Sequence, residues 1–386
     1  MNIPQEFDTI RPWEPEDLPE VYDRLIANDQ FKKVLVFLYP QVPFEMIVQK
    51  LKACKTNLDF QKAFCYDFVH GVLKKAGKGC EMDSSAIDNT RNYTFISNHR
   101  DIVFDSAILD VMLIDNGFQT TCEIAIGDNL LSLPWVKDLV RVNKAFIVER
   151  ALGMREMLKA SKRLSDYMHF AIKEKKENIW IAQREGRAKD SDDRTQKGIL
   201  QMMSMGGDGS IIERLKQLHL VPLSISYEYD PCDFLKAREY QLKRDVEGWK
   251  KGPADDLVSM QTGIFGYKGH VHYHAAACLD EYLDSLDPET PKQDIYNKVA
   301  AHIDHEIHSH YMLYPGNYVA LDLLEGAAAH ADKYTEEEKN TFEQYIAGQL
   351  AKIDIPNKDE AYLRERILTM YANPVKNFVR AVAMRH

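Results

Sequence analysis

The sequence has no C-x-x-C pair, and its six cysteines, at 54, 65, 80, 122, 232 and 278, are scattered along the chain. That excludes a zinc-ribbon framework and reads as reduced thiols rather than a disulfide scaffold. No apolar run approaches the ~20 residues that a membrane-spanning helix needs, so any work on lipids is expected from the membrane surface. The opening Met1-Asn2-Ile3-Pro4-Gln5-Glu6 carries none of the marks of a signal peptide. A basic excess is lacking too: the net charge is −10, which argues against nucleic acid as a partner. Repeats and low-complexity tracts are missing. With 45% hydrophobic and 28% charged residues in a chain of 386, this is globular material, long enough for two or three domains.

The apolar pattern divides the chain. Residues 1–85 read as a helical N-terminal region. Glu14 to Tyr22 looks like a helix start, with acids and prolines suited to a first turn. Phe31 to Pro40 is its most apolar stretch, and Phe44 to Lys52 has one apolar and one basic face. Such a face suits either a membrane interface or, more commonly, the domain core. Between 86 and 280 short β-rich runs alternate with helical ones. Strands are predicted at Tyr93–Ser97, Thr121–Ile126, Lys144–Val148, Asn178–Ala182, Leu220–Ser226 and Gly269–Ala275, and helices at Ile102–Ile114, Leu133–Leu139 and Leu152–Lys175. This alternation predicts an α/β domain with a mostly parallel central sheet flanked by helices. Arg238 to Asp256 reads as a charged helical insertion near the surface. Residues 281–386 read as a helical C-terminal region, entered through the break Asp287-Pro288-Glu289-Thr290-Pro291.

Polar residues collect where three of these strands end. Asn98-His99-Arg100-Asp101 follows the first, Glu149-Arg150 the third, and Gln183-Arg184-Glu185-Gly186-Arg187 the fourth. Ligands of open α/β sheets bind beyond the carboxyl ends of the strands. Three such loops would bring an imidazole, carboxylates and several guanidiniums to one pocket. Histidine is the side chain most easily poised as a base near neutral pH, and arginine binds phosphate through paired, charge-assisted hydrogen bonds. The set suggests a phosphorylated acceptor with a hydroxyl to activate.

These blocks, in this order, resemble those of the glycerolipid acyltransferases, the family of glycerol-3-phosphate and 1-acylglycerol-3-phosphate acyltransferases. Asn98-His99-Arg100 with Asp105 is similar to the family's first block, Ala145 to Arg150 to its second, Arg184-Glu185-Gly186-Arg187 to its third, and Val221-Pro222-Leu223-Ser224-Ile225 to its fourth. The resemblance implies that His99 is the general base, with Asp105 holding its imidazole. The acceptor would be bound by Arg150 and Arg187, with Arg100, Lys144, Arg184, Glu185 and Gly186 as further binding candidates. It implies an acyl thioester donor, acyl-CoA or acyl-carrier protein, and no cofactor or metal. The acceptor would be a glycerol phosphate or lysolipid. The protein would be cytoplasmic, associated peripherally with the inner face of the membrane. An acceptor of another kind, such as a lyso-amino-acid lipid, and a catalytically inactive lipid-binding homologue are the alternatives.

Two features set further expectations. His99 and Asp105 stand one residue further apart than in the family, so the helix must start differently if they are to meet; Asp101 is the alternative partner, or a helix cap. Two histidine groups, His270/His272/His274 and His302/His305/His308, share a strand face and a helix face, but neither has a zinc-site spacing. The aromatic stretch Ile307 to Tyr318 reads as core packing, or else as a cover for the sheet or the wall of an acyl-chain tunnel.

Overall fold

A computed structural model describes residues 2–150 and 153–383. Its centre is a seven-stranded sheet in the order β1-β7-β6-β2-β5-β3-β4, where β1 is Gly77–Asp83, β2 Thr94–Ser97, β3 Cys122–Gly127, β4 Ala145–Val148, β5 Asn178–Ala182, β6 Leu220–Tyr227 and β7 Gly269–Ala275. From β6 to β4 all neighbours are parallel. β7 runs antiparallel to β6, and β1 parallel to β7. The predicted strands are all present, and the sheet is mostly parallel.

Both faces of the sheet are covered, which is why its strands are apolar at successive positions. Phe95 and Trp180 point to one face, where the helices Asp67–Ala76 and Phe104–Asp115 pack. Ile96, Ile179 and Ile181 point to the other, against Met154–Phe170, Lys197–Met203 and Lys292–Ser309. Asn116-Gly117 ends the Phe104–Asp115 helix as expected, with Gly117 at φ +76°, a conformation that favours glycine. The helix expected from Leu152 begins at Met154; Leu152 itself, like His386, lies outside the described residues.

Two readings need correction. Residues 77–83, read as part of the helical N-terminal region, form edge strand β1 of the central sheet. Two glycines and alternating polar residues gave them no strand signal; pairing with β7 supplies the order. The charged stretch Arg238 to Asp256 is largely at the surface, as expected, but its first part is not an insertion. It belongs to a helix, Asp233–Asp245, whose Lys236, Ala237, Glu239 and Gln241 are buried. Ala237 joins a separate core made by the C-terminal helices Pro315–Glu325, Glu336–Ala351 and Glu360–Ala383. The N-terminal helices Leu18–Ile26, Asp29–Leu38 and Phe44–Ala53 make another core, closed by Val142 from the helix Pro134–Val142.

Candidate active site

The site is built where β2 ends. Asn98, fully buried, turns its side-chain amide onto β6: Nδ2 donates to Ile225 O at 2.9 Å, and Oδ1 accepts from Ile225 N at 2.8 Å. The amide thus continues the β2–β6 ladder by one more step. Trp180 Nε1 donates to Ser97 Oγ at 3.0 Å, and its indole stands edge-on to His99, with centroids 5.4 Å apart. Strand and indole together fix where the imidazole can lie.

His99 Nδ1 is 2.8 Å from Asp105 Oδ2. The same oxygen accepts from the backbone N–H groups of Arg100, at 2.6 Å, and Asp101, at 3.0 Å. Asp105 is fully buried. An acceptor-only carboxylate at Nδ1 makes that nitrogen the N–H donor and leaves Nε2 as the basic nitrogen. The extra residue between His99 and Asp105 is absorbed in the loop. The helix starts at Phe104, so Asp105 stands in its first turn, while Phe104, where the family's spacing would place the acid, is buried in the core.

Asp101 is not the histidine's partner. Its Oδ1 accepts from Val103 N at 2.9 Å and Phe104 N at 2.7 Å, capping the helix. Burial and the neighbouring Asp105 charge hold its carboxyl above the usual range. A Cβ at Gly263 would overlap Asp101 Oδ2, so the helix Pro253–Phe265 closes over this loop only because that position is glycine.

A cavity of about 560 Å³ opens in front of His99. It brings together His99, Arg150, Arg184, Glu185, Gly186 and Arg187, from the three strand ends. Arg150 Nη1 is 3.4 Å from Glu185 Oε1. Its guanidinium crosses Gly127, where a Cβ would lie 2.8 Å from Nε. Gly186 sits at φ +67°, so the turn that aims Arg184 and Arg187 needs glycine. Arg184 Nε and Arg187 Nη1 are buried with no hydrogen-bond partner. Buried guanidinium donors without acceptors are costly, and phosphate is the kind of acceptor that pairs with them.

Arg100 and Lys144 do not join this cavity, contrary to expectation. The Arg100 guanidinium is buried in a bidentate pair with Asp193, at 2.7 and 3.0 Å. Tyr311 donates to the same carboxylate at 2.5 Å, and His308 Nε2 donates to Asp193 O at 2.7 Å. Burial pushes His308 down to about 4, so it is a neutral donor at pH 7. Lys236 Nζ caps Arg100 O at 3.0 Å. Arg100 therefore braces the histidine loop against the C-terminal region. Lys144 precedes β4 and so lies at the opposite end of the sheet, bonded to Thr120, Thr121 and Glu177.

Sequence reasoning missed Asn98 as a fastener, Trp180 as a wall, and Asp193 and Lys236 as braces. Only Asn98 had a local signal, its place beside His99. The aromatic stretch supplies Tyr311 to this brace and does not line the cavity. The two histidine groups are dispersed: His302 stacks on Tyr282 at 3.7 Å, His274 on His310 at 4.0 Å, and His308 serves Asp193. Among the described residues the donors close enough to share a metal are His219, Cys278 and Asp280, and there Arg91 Nη2 already stands 3.4 Å from Asp280 Oδ2.

A second cavity, of about 280 Å³, adjoins the first and shares Val103, Ala107, Val140 and Asn143 with it. Its walls are apolar: Phe31, Val34, Leu35 and Leu38 from the N-terminal helices, and Phe104, Val111 and Ile114 from the other side.

Comparison with known proteins gives one family. A family model described as Acyltransferase matches residues 82–226, from the end of β1 to β6. No curated protein matches the sequence. Among solved structures, the crystal structure of the 1-acyl-sn-glycerophosphate (LPA) acyltransferase PlsC from Thermotoga maritima is similar at 12% identity. That match has a TM-score of 0.36 and covers 76% of this chain and 94% of that one; a likeness so low says nothing about substrate.

Asn98→Ala leaves a buried N–H and C=O of Ile225 unpaired, and each such group costs about 1–3 kcal/mol. Urea unfolding is expected to show a loss of about 2 kcal/mol or more. A stability within about 0.5 kcal/mol of the wild type would remove Asn98 from this role.

Proposed function

We propose, from the match of residues 82–226 to the Acyltransferase family model, that the protein moves an acyl group from a thioester to a hydroxyl of a phosphate-bearing glycerolipid-type acceptor. The observation that carries the reading is the His99–Asp105 pair at the mouth of a cavity holding unpartnered guanidinium donors. His99 Nε2 takes the proton of the acceptor hydroxyl, and that oxygen attacks the thioester carbonyl. As the C–O bond forms and the C–S bond breaks, the thiolate leaves and recovers the proton from the imidazolium. Asp105 stabilises the imidazolium in between. Arg184 and Arg187, with Arg150 at the rim, hold the acceptor phosphate. Arg187 and Arg184 supply the buried donors, while Arg150 is half-exposed and already shared with Glu185.

The apolar cavity supports a place for the acyl chain, since it adjoins the histidine cavity at Val103 and Ala107, which line both. Its walls also border exposed apolar residues. Val36, Phe37, Val42 and Met46 lie on or between the helices Asp29–Leu38 and Phe44–Ala53, and Leu257, Val258 and Phe265 lie on Pro253–Phe265. These helices contribute Val34, Leu38 and Ile264 to the cavity. Apolar side chains beside a chain-sized opening suit a protein that docks on a bilayer and takes lipid from it. Among the described residues no helix is long and apolar enough to cross a membrane; the docking proposed here is peripheral, on the cytoplasmic face. An inactive lipid-binding homologue would be favoured by a histidine without a carboxylate partner, and His99 has one at 2.8 Å.

The test is thioester release across hydroxyl acceptors, with and without phosphate. His99→Ala is expected to lower turnover by about 10²–10⁴ while leaving the fold intact; no release above that variant with any acceptor would sink the reading. A second assay probes the chain site. Ala107→Phe narrows the join between the cavities, and each methylene it displaces costs about 0.8 kcal/mol, about fourfold in kcat/KM. The optimum is expected to shift to shorter acyl chains, and an unchanged chain-length profile would place the chain elsewhere.

A further inference from the structure

Asn143 stands where the histidine cavity and the apolar cavity meet, and it lines both. It lies deep. The histidine cavity follows β3 back from Gly127, at the same end of the sheet as His99, through Ile126 and Ala125 to Ile124. That is about 10 Å of strand. Ile124 pairs with Ala145, so Asn143, which precedes Ala145, lies further in again. A chain that runs from His99 into the apolar cavity passes this amide part-way along its length.

The amide has a donor to spare. Cys65 Sγ donates to Asn143 Oδ1 at 3.4 Å, and burial pushes the Cys65 thiol up to about 12, so it keeps the proton it donates. That contact assigns Oδ1 to the thiol, and Nδ2 has no acceptor among the described residues. Other polar groups on the inner walls are engaged. Gln61 Nε2 donates to Asp110 Oδ2 at 3.1 Å, Thr121 Oγ1 to Gln61 Oε1 at 2.5 Å, and the backbone N–H of Cys122 to Asp110 Oδ1 at 2.8 Å. Tyr39 donates to Phe64 O at 3.0 Å. A plain hydrocarbon chain lying over Nδ2 takes water from it and offers nothing in return, and a covered donor without an acceptor is costly. An oxygen on the chain at that depth removes the cost. The same oxygen close to the thioester is out of reach of Asn143.

We propose that Asn143 selects acyl chains bearing a hydroxyl part-way along, so that the substrate is a mid-chain hydroxyacyl thioester. The inference rests on the acyltransferase reading for the thioester, and on the two adjoining cavities for the chain.

Pantetheine thioesters of octadecanoic acid and of its 3-hydroxy and 10-hydroxy derivatives are the probes, since pantetheine is the arm common to either carrier. In the wild type, kcat/KM is expected to be about tenfold higher for the 10-hydroxy chain than for the other two. In Asn143→Leu, which keeps the side-chain volume and removes the amide, that ratio is expected to fall to about one. Equal values for the three chains in the wild type overturn the proposal, and so does a preference that survives in Asn143→Leu. If Asn143→Leu does not fold, the wild-type comparison of the 3-hydroxy and 10-hydroxy chains decides alone, because only a contact at depth separates them. Should no thioester be consumed at all, the acyltransferase reading fails. Calorimetry with the free acids then decides the chain site: tighter binding of 10-hydroxyoctadecanoic acid than of octadecanoic acid sustains it, and equal affinity overturns it.

Discussion

Three hydrogen bonds converge on one oxygen of a fully buried carboxylate, and the arrangement of the site follows from them. Asp105 Oδ2 holds the imidazole of His99 and two backbone N–H groups of the loop that carries it. The carboxylate therefore shapes the loop and selects the tautomer in a single contact. Asp105 can reach only because the helix begins at Phe104, and the helix begins there because Asp101 caps it. A change at either acid is transmitted to Nε2.

The loop is also held by residues far from it in sequence, several of them beyond the matched stretch 82–226. Arg100, beside the histidine, is locked by Asp193, which in turn is held by Tyr311 and His308; Lys236 takes the carbonyl. These partners come from the region after β5 and from the helical parts that follow. The C-terminal region thus braces the loop that carries His99. A base that must meet a hydroxyl within hydrogen-bond reach gains from such stiffness, since small misplacements are costly in rate.

The strands of the sheet interior were legible because both faces are buried, which leaves uninterrupted apolar runs such as Tyr93 to Ser97. β1 was not, because a half-exposed edge strand with two glycines has no such pattern. Arg150, Arg184 and Arg187 follow strand ends and do converge. Lys144 precedes its strand, and in a parallel sheet that puts it at the far end from the ligand side, a distinction the resemblance overrode. Whether Asp101 or Asp105 serves His99 depends on where one helix starts, a matter of a single residue that tertiary packing decides. Asn98 reaches Ile225 across 127 positions, and Arg100 reaches Asp193 across 93; contacts at such separations leave no periodic trace.

The central claim is that the charge of Asp105 supports a base at His99, and Asp105→Asn isolates it. An asparagine oxygen can still accept the three hydrogen bonds, while its NH2 takes the place of Oδ1, which is buried without a partner, so the charge is lost together with about 1–3 kcal/mol of stability. A charge-assisted hydrogen bond is worth about 1.5–3 kcal/mol. The account predicts that kcat for acyl transfer falls about 10- to 100-fold in a protein that still folds and keeps the wild-type donor KM. Wild-type kcat in that variant would contradict it.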